Sequence, residues 1–82
     1  MSAQRQVHVG RDDTKTRRRL LAALKKAGAR RIGSWWGLGG SQEITTWTFA
    51  LRSGHLRVEA ETYVGLSLMG DEAAVDAVVR HL

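Results

Sequence analysis

Residues 43–69 carry the strongest structural pattern in the chain, and they read EITTWTFALRSGHLRVEAETYVGLSLM. Apolar and polar residues alternate over residues 43–52 and again over residues 55–68. A period of two is typical of a strand with one buried face and one face open to water. Ser53 and Gly54 stand between the two runs, and glycine adopts a positive φ without steric cost. We therefore predict an antiparallel hairpin with a two-residue turn at Ser53 and Gly54.

The predicted turn sets the register between the two strands. The residues that face each other would all lie on the apolar face: Leu51 with Leu56, Phe49 with Val58, Trp47 with Ala60, and Thr45 with Thr62. The opposite face would carry polar side chains, which are Thr46, Thr48, Arg57, Glu59, Glu61 and Tyr63. A slip by one residue would bury the two glutamates, so we expect the register to be well specified.

Two amphipathic helices are predicted on either side of this region. The first spans residues 14–27, has its N-cap within residues 12–14, and ends at Gly28. The second begins after an N-cap at Asp71 and continues to the C-terminus. Helical spacing gives each an apolar stripe: Leu20, Leu21, Leu24 and Ala27 on the first, and Ala74, Val75, Val78, Val79 and Leu82 on the second.

The remaining segments complete a predicted order of β-α-β-β-β-α in a single domain over residues 1–82. Residues 1–12 form either a short edge strand, at residues 4–9, or a loose N-terminal segment. Residues 30–36 form a strand, and a glycine-rich connection follows at residues 37–42. Because each helix must bury its apolar stripe and the sheet offers one apolar face, we expect an α+β two-layer sandwich. Its sheet would have three or four mainly antiparallel strands, with both helices on one face.

The central α-β-β-β-α part of this order resembles the topology of the double-stranded-RNA-binding domain. That family begins its second helix with Lys-Lys-x-Ala-Lys, whereas residues 71–75 of this chain read Asp-Glu-Ala-Ala-Val. The segment is acidic where the family contacts phosphate. The resemblance therefore concerns topology alone, and it does not assign the chain to the family.

Positive charge is concentrated in the first part of the chain. Of the 13 basic residues, ten lie within residues 1–31, which contain only two acidic residues. The other three basic residues and six acidic residues lie within residues 32–82. Such asymmetry indicates an anionic partner for the first part, whether nucleic acid, phospholipid headgroups or an acidic protein.

One side of the first helix is the predicted polyanion-binding surface. Five cations share that side, opposite the leucine stripe: Lys15, Arg18, Arg19, Lys25 and Lys26. They could neutralise several phosphates, and the binding would weaken as salt rises. Contacts of this kind go to the phosphate backbone and read little sequence. The alternative interpretation is a solvated face that keeps the protein soluble.

A partner-binding surface is predicted on the sheet, from Trp35, Trp36, Arg57 and Tyr63. Either register of residues 30–36 places one tryptophan in the core and the other on the open face. A tryptophan there would offer a stacking platform or an interface anchor, or would only cover a sheet edge. The glycines that follow do not match a phosphate-binding loop, because no Gly-Lys-Ser/Thr follows and the next element is a strand.

Catalysis and metal binding are not predicted. His55 and Glu59 would lie about 13 Å apart on one strand, too far to share an ion. Glu59 and Glu61 would lie about 6.6 Å apart on an open face where nothing excludes water. The chain has no cysteine and no Gly-x-Ser-x-Gly sequence. We therefore expect a protein that is not an enzyme and has no cofactor, metal or small-molecule ligand.

These patterns predict a small binding domain whose basic first helix contacts nucleic acid. The alternative is a protein-interaction module, such as an inhibitor, an immunity-type protein or a homodimer, that uses the open sheet face. No apolar run exceeds five residues, far below the roughly 20 needed to cross a bilayer. The first residues do not resemble a secretion signal. We expect a cytoplasmic protein with no membrane partner, and the lack of cysteine agrees with a reducing compartment.

Overall fold

Five strands form one antiparallel sheet in the computed structural model of the chain, and two helices build a single core with one face of that sheet. The structure describes residues 3–40 and 42–82. Positions 1 and 2 of the predicted N-terminal segment, and Ser41 of the predicted connection, lie outside those residues. The elements in chain order are β1 Gln4–Gly10, α1 Thr14–Lys26, β2 Arg30–Gly39, β3 Gln42–Leu51, β4 Gly54–Glu61, β5 Gly65–Asp71 and α2 Glu72–Val79.

The strands lie side by side in the order β1-β5-β4-β3-β2, and every neighbouring pair is antiparallel. Strands β2 to β5 follow one another as a meander, and the first strand of the chain, β1, pairs with β5 at the edge opposite β2. Helix α1 therefore connects the two opposite edges of the sheet. The α+β prediction is confirmed, but the predicted number of three or four strands was too low.

The additional strand was not predicted because a turn at residues 62–64 divides the predicted strand 55–68 into β4 and β5. Ala60 pairs with Leu66 across this turn. The apolar residues therefore stay at even-numbered positions both before and after the turn, and the alternation does not reveal it. Because four strands now separate the helices, the topological resemblance to the double-stranded-RNA-binding domain is lost. Tyr63 lies in the turn and not on the strand where it was predicted.

The register of the β3–β4 hairpin differs from the prediction by two residues. Phe49 pairs with Leu56, Trp47 with Val58 and Thr45 with Ala60. The turn residues are Arg52 and Ser53, and Gly54 begins β4 opposite Leu51. A shift of two residues keeps every side chain on its predicted face, and Leu56, Val58 and Ala60 are buried as expected. The faces were predicted correctly, whereas the pairs and the turn were wrong.

Gly54, which begins β4, lies against a carboxylate of β5. A Cβ at this position would lie 2.5 Å from Oδ2 of Asp71, which accepts the backbone N–H of His55 at 2.9 Å. The other Asp71 oxygen accepts a hydrogen bond from Nε2 of Gln4 at 2.8 Å. Asp71 occupies the N-cap position of α2, but its side chain makes no capping hydrogen bond there. It joins β5 to β4 and β1 instead.

The helices bury most of their predicted apolar stripes, but Leu21 and Leu82 are exposed. Helix α1 has Asp13 as its N-cap, whose carboxylate accepts the N–H of Thr16 at 2.8 Å, and α2 ends at Val79 before the C-terminus. Leu21 was predicted in the apolar stripe, yet it is 61% exposed. The residues that helices α1 and α2 bury are Leu20, Ala23, Leu24, Ala74, Val75 and Val78.

Acid should destabilise this fold through three aspartates. Arg17 lowers the pKa of Asp12, hydrogen bonds from Thr16 lower that of Asp13, and the His55 N–H lowers that of Asp71. A carboxyl group whose pKa is lower in the folded state stabilises the fold above its unfolded pKa, about 4, and loses that contribution as the pH falls through the folded pKa. We expect the urea midpoint to be nearly constant from pH 7 to 5 and to fall below pH 4. Asp71→Asn should lower the midpoint at pH 7 and reduce the fall between pH 4 and 2. An unchanged acid profile in this variant would contradict the role of Asp71.

Candidate functional site

The five predicted cations lie along the solvent side of α1, and we call them the cationic face. Each is exposed, and Lys15 to Lys26 extend over about 16 Å of helix. Within residues 3–40 and 42–82, the salt bridges join Arg5 to Asp76 and Arg17 to Asp12, so neither uses a member of this face. The face consists of Lys15, Arg18, Arg19, Lys25 and Lys26.

The two acidic residues near the cationic face are both engaged within the fold. Asp13 caps α1 through Thr16. Asp12 accepts two hydrogen bonds from Arg17, at 2.5 Å from Nε and 3.0 Å from Nη2. This pairing raises the pKa of Arg17 and keeps its guanidinium charged. No member of the cationic face forms a salt bridge in the described part of the chain, although the carboxylate of Asp13 interacts electrostatically with Lys15.

An apolar groove runs beside α1 and was not predicted. Helix α2 packs mainly on β1, β4 and β5, while α1 packs mainly on α2 and β1. The helix-side surface of β2 and part of that of β3 are consequently open next to α1, although Phe49 of β3 is buried in the core. The groove has a volume of about 440 Å³, and its lining is Arg17, Leu20, Leu21, Leu24, Arg31, Trp47, Phe49, Val58 and Leu66.

Arg17 closes one part of this groove. Its guanidinium carbon lies 5.4 Å from the centroid of the Trp47 ring, a distance at which a cation and an aromatic face attract each other. Long cationic side chains often bury their stem and extend their charged end into water. The structure shows that the charged end is held between Asp12 and Trp47. The sequence signal for the groove was the presence of this arginine and Leu21 on the same side of α1.

The two adjacent tryptophans lie on opposite faces of β2, and neither is in the core. Trp36 pairs with Thr45 on the helix side, is 57% exposed, and donates its indole N–H to Glu43 at 2.7 Å. Trp35 is 60% exposed on the outer face, and its ring covers Gly37, where a Cβ would lie only 2.3 Å from it. The prediction that one of them is buried was wrong, because in the described residues no helix packs extensively on β2.

The predicted partner-binding residues are not brought together. Trp36 faces the helix side, while Trp35 lies on the outer face opposite Thr46. Arg57 is exposed on the outer face of β4, opposite Thr48 and Met69. Tyr63 is in the turn after β4. These four residues therefore do not form one contact surface.

The residues on the outer face of the sheet form cross-strand rows. One row of paired residues crosses all five strands: Trp35, Thr46, Glu59, Ser67 and His8. In the described residues, no group of three or more histidine or acidic side chains is arranged to hold a metal ion. Neither helix in residues 3–40 and 42–82 has the length and apolarity to cross a membrane.

A comparison with models of protein families, a search of characterised proteins and a search of solved structures each found no match for this chain.

Proposed function

We propose that this chain is a non-enzymatic domain that binds a polyanion, specifically nucleic acid, through the cationic face of α1. The observation that carries the proposal is the exposure of five cations on one helix side, none of which forms a salt bridge in the described residues. Phosphate groups bind such a surface because each contact releases condensed counterions into solution.

The dimensions of the cationic face suit a nucleic-acid backbone. Phosphates repeat about every 3.4 Å along each strand of a duplex, so a face about 16 Å long spans several of them. Arg11 and Arg30 are also exposed, just before and just after α1. A partner with regularly spaced phosphates could therefore make several contacts at once, with little dependence on its base sequence.

Salt dependence tests this proposal. Binding of fluorescein-labelled 20-nucleotide DNA and RNA, single-stranded and duplex, should be measured by anisotropy between about 50 and 200 mM salt. For three to five phosphate contacts, the slope of log K against log salt should be about −2.7 to −4.5 for duplexes and about −2.1 to −3.5 for single strands. Polyglutamate serves as a competitor that carries charge without phosphates, and it should displace nucleic acid poorly. Failure of a folded sample to bind any of these nucleic acids at low salt would refute the proposal, and equal competition by polyglutamate would refute its nucleic-acid specificity.

A second candidate function, self-association, is favoured by strand β2. This edge strand is ten residues long, and in the described part of the chain it pairs only with β3. It exposes four large apolar side chains, which are Ile32, Trp35, Trp36 and Leu38. A long apolar edge of this kind is a template to which another chain can add a strand.

Molar mass in solution tests the second candidate. We expect light scattering to show a concentration-dependent shift from monomer to dimer, and Leu38→Lys to abolish it, because a charge on an edge strand opposes pairing. Thr46→Lys places the same charge on β3, away from the edge, and is the control. A monomer at every concentration would contradict self-association.

A further inference from the structure

The apolar groove beside α1 combines aromatic surfaces with positive charge. Trp47 and Phe49 of β3 line it together with leucines of α1. Trp36 lies on the same side of the sheet, since it pairs with Thr45 while Trp47 pairs with Ser34. The two indoles are thus diagonal neighbours on adjacent strands. The hydrogen bond to Glu43 holds the ring of Trp36 in place.

Cations border the groove on both of its sides. Arg31 of β2 and Arg17 of α1 are part of its lining. On the helix surface, residues three or four apart are neighbours. Arg18 precedes the groove residue Leu21 by three positions, and Lys25 follows it by four. These two members of the cationic face are therefore next to the groove.

The other two charges in the same turns of α1 lie elsewhere. Arg19 and Lys26 are respectively four residues before and three residues after Ala23, which is fully buried and does not line the groove. Helical spacing therefore places Arg19 and Lys26 on the edge of the cationic face away from the groove. The four cations therefore form two matched pairs. Arg18 and Lys25 lie next to the groove, and Arg19 and Lys26 lie away from it.

We infer that the groove binds the bases of single-stranded nucleic acid while the adjacent cations hold its phosphates. This inference rests on the proposed function and names its substrate class. An apolar groove with cations at its border complements a ligand in which flat apolar rings alternate with anions. Single-strand binding sites combine these two features, with aromatic side chains on which successive bases stack. In a duplex the bases are stacked on each other, so only its phosphates can reach the cationic face.

The adjacent tryptophans give a matched test. Trp36 is not part of the groove lining, but Trp36→Ala removes a ring on the same side of the sheet as the groove, and Trp35→Ala removes an equally exposed ring on the outer face. At low salt, wild-type protein should bind a 12-nucleotide oligothymidine several-fold more tightly than a duplex of the same length. Trp36→Ala should weaken single-strand binding about 5- to 100-fold, the loss expected for one stacked base, without changing duplex binding. Trp36→Phe should restore much of the affinity, and Trp35→Ala should bind as wild type does.

The cation pairs give a second test that does not disturb the sheet. Arg18→Gln/Lys25→Gln should weaken single-strand binding more than Arg19→Gln/Lys26→Gln, although both variants lose the same charge. Equal affinity for single strand and duplex, with no difference between the paired variants, would overturn the groove inference and leave the proposed function standing. Absence of binding to either nucleic acid would refute the proposed function itself. If Trp36→Ala dissociates a dimer and leaves nucleic-acid binding unchanged, this surface serves a second copy of the chain, and the inference is wrong.

Discussion

Replacing the five cations of α1 with glutamine should weaken binding to nucleic acid at least about 100-fold at roughly 50 mM salt. The variant carries Lys15→Gln, Arg18→Gln, Arg19→Gln, Lys25→Gln and Lys26→Gln. The physical reason is that each lost contact also removes the entropy of counterion release, so the salt slope should fall toward zero along with the affinity. Glutamine is a good helix former, and all five positions are exposed, so α1 should remain folded. Circular dichroism and urea unfolding check this before binding is measured.

A charge-matched control separates the position of the charges from their number. Arg52, Arg57 and Arg80 are exposed and lie outside α1, so Arg52→Gln/Arg57→Gln/Arg80→Gln removes three charges from other surfaces. Its counterpart is Lys15→Gln/Arg19→Gln/Lys26→Gln, with the same change in net charge. We expect the helix variant to lose most of the affinity and the control to lose only a few-fold. Equal losses would mean that net charge alone attracts the ligand, and the cationic face would then not be a binding site.

Gly65→Ala should produce the largest loss of stability. Gly65 has a φ of +98°, and a Cβ there would lie 2.3 Å from the carbonyl oxygen of Gly10 in β1. Both the backbone strain and the clash with a neighbouring strand act at a point where β5 begins. We expect the free energy of unfolding to fall by about 2 to 4 kcal/mol. Urea unfolding at pH 7 measures it.

Gly33→Ala is the matched control for this substitution. Gly33 is in a strand as well, but a Cβ there would have no atom of another residue within 4 Å beyond its chain neighbours, and its φ is not positive. Alanine reduces the freedom of the unfolded chain, so the free energy of unfolding should stay within about 1 kcal/mol of wild type. A similar loss in both variants would show that loss of glycine flexibility, and not the approach of β1 to Gly65, causes the effect.

The faces of the strands could be predicted because alternation is a local property of the chain. Leu56, Val58 and Ala60 are buried on one face of β4, as their spacing indicated. The turn at residues 62–64 could not be found in the same way. Ala60 and Leu66 pair across it, so the pattern of the second strand continues that of the first. The hairpin register was also missed: Gly54, which was predicted in the turn, begins β4 and lies against the carboxylate of Asp71, a contact between positions distant in sequence.

In the candidate site, likewise, the cationic face could be predicted from the sequence and the groove could not. The cationic face follows from helical spacing, which places Lys15, Arg18 and Lys25 on the side opposite the leucines whatever the helix packs against. The groove does not follow from spacing, since Leu21 and Trp36 carry the pattern of buried residues and are nevertheless more than half exposed. Burial depends on what lies opposite a side chain, and only the placement of α1 and α2 over β1, β5 and β4 determines that.

The sequence alone therefore determined the element types, the apolar face of the sheet and the charged side of α1, because each is set by the spacing of neighbouring residues. The tertiary structure alone decided the fifth strand, the register, the open edge at β2 and the groove between α1 and β3. Each of these arises from contacts between segments far apart in the chain. The local periodicity of the sequence carries no information about such contacts.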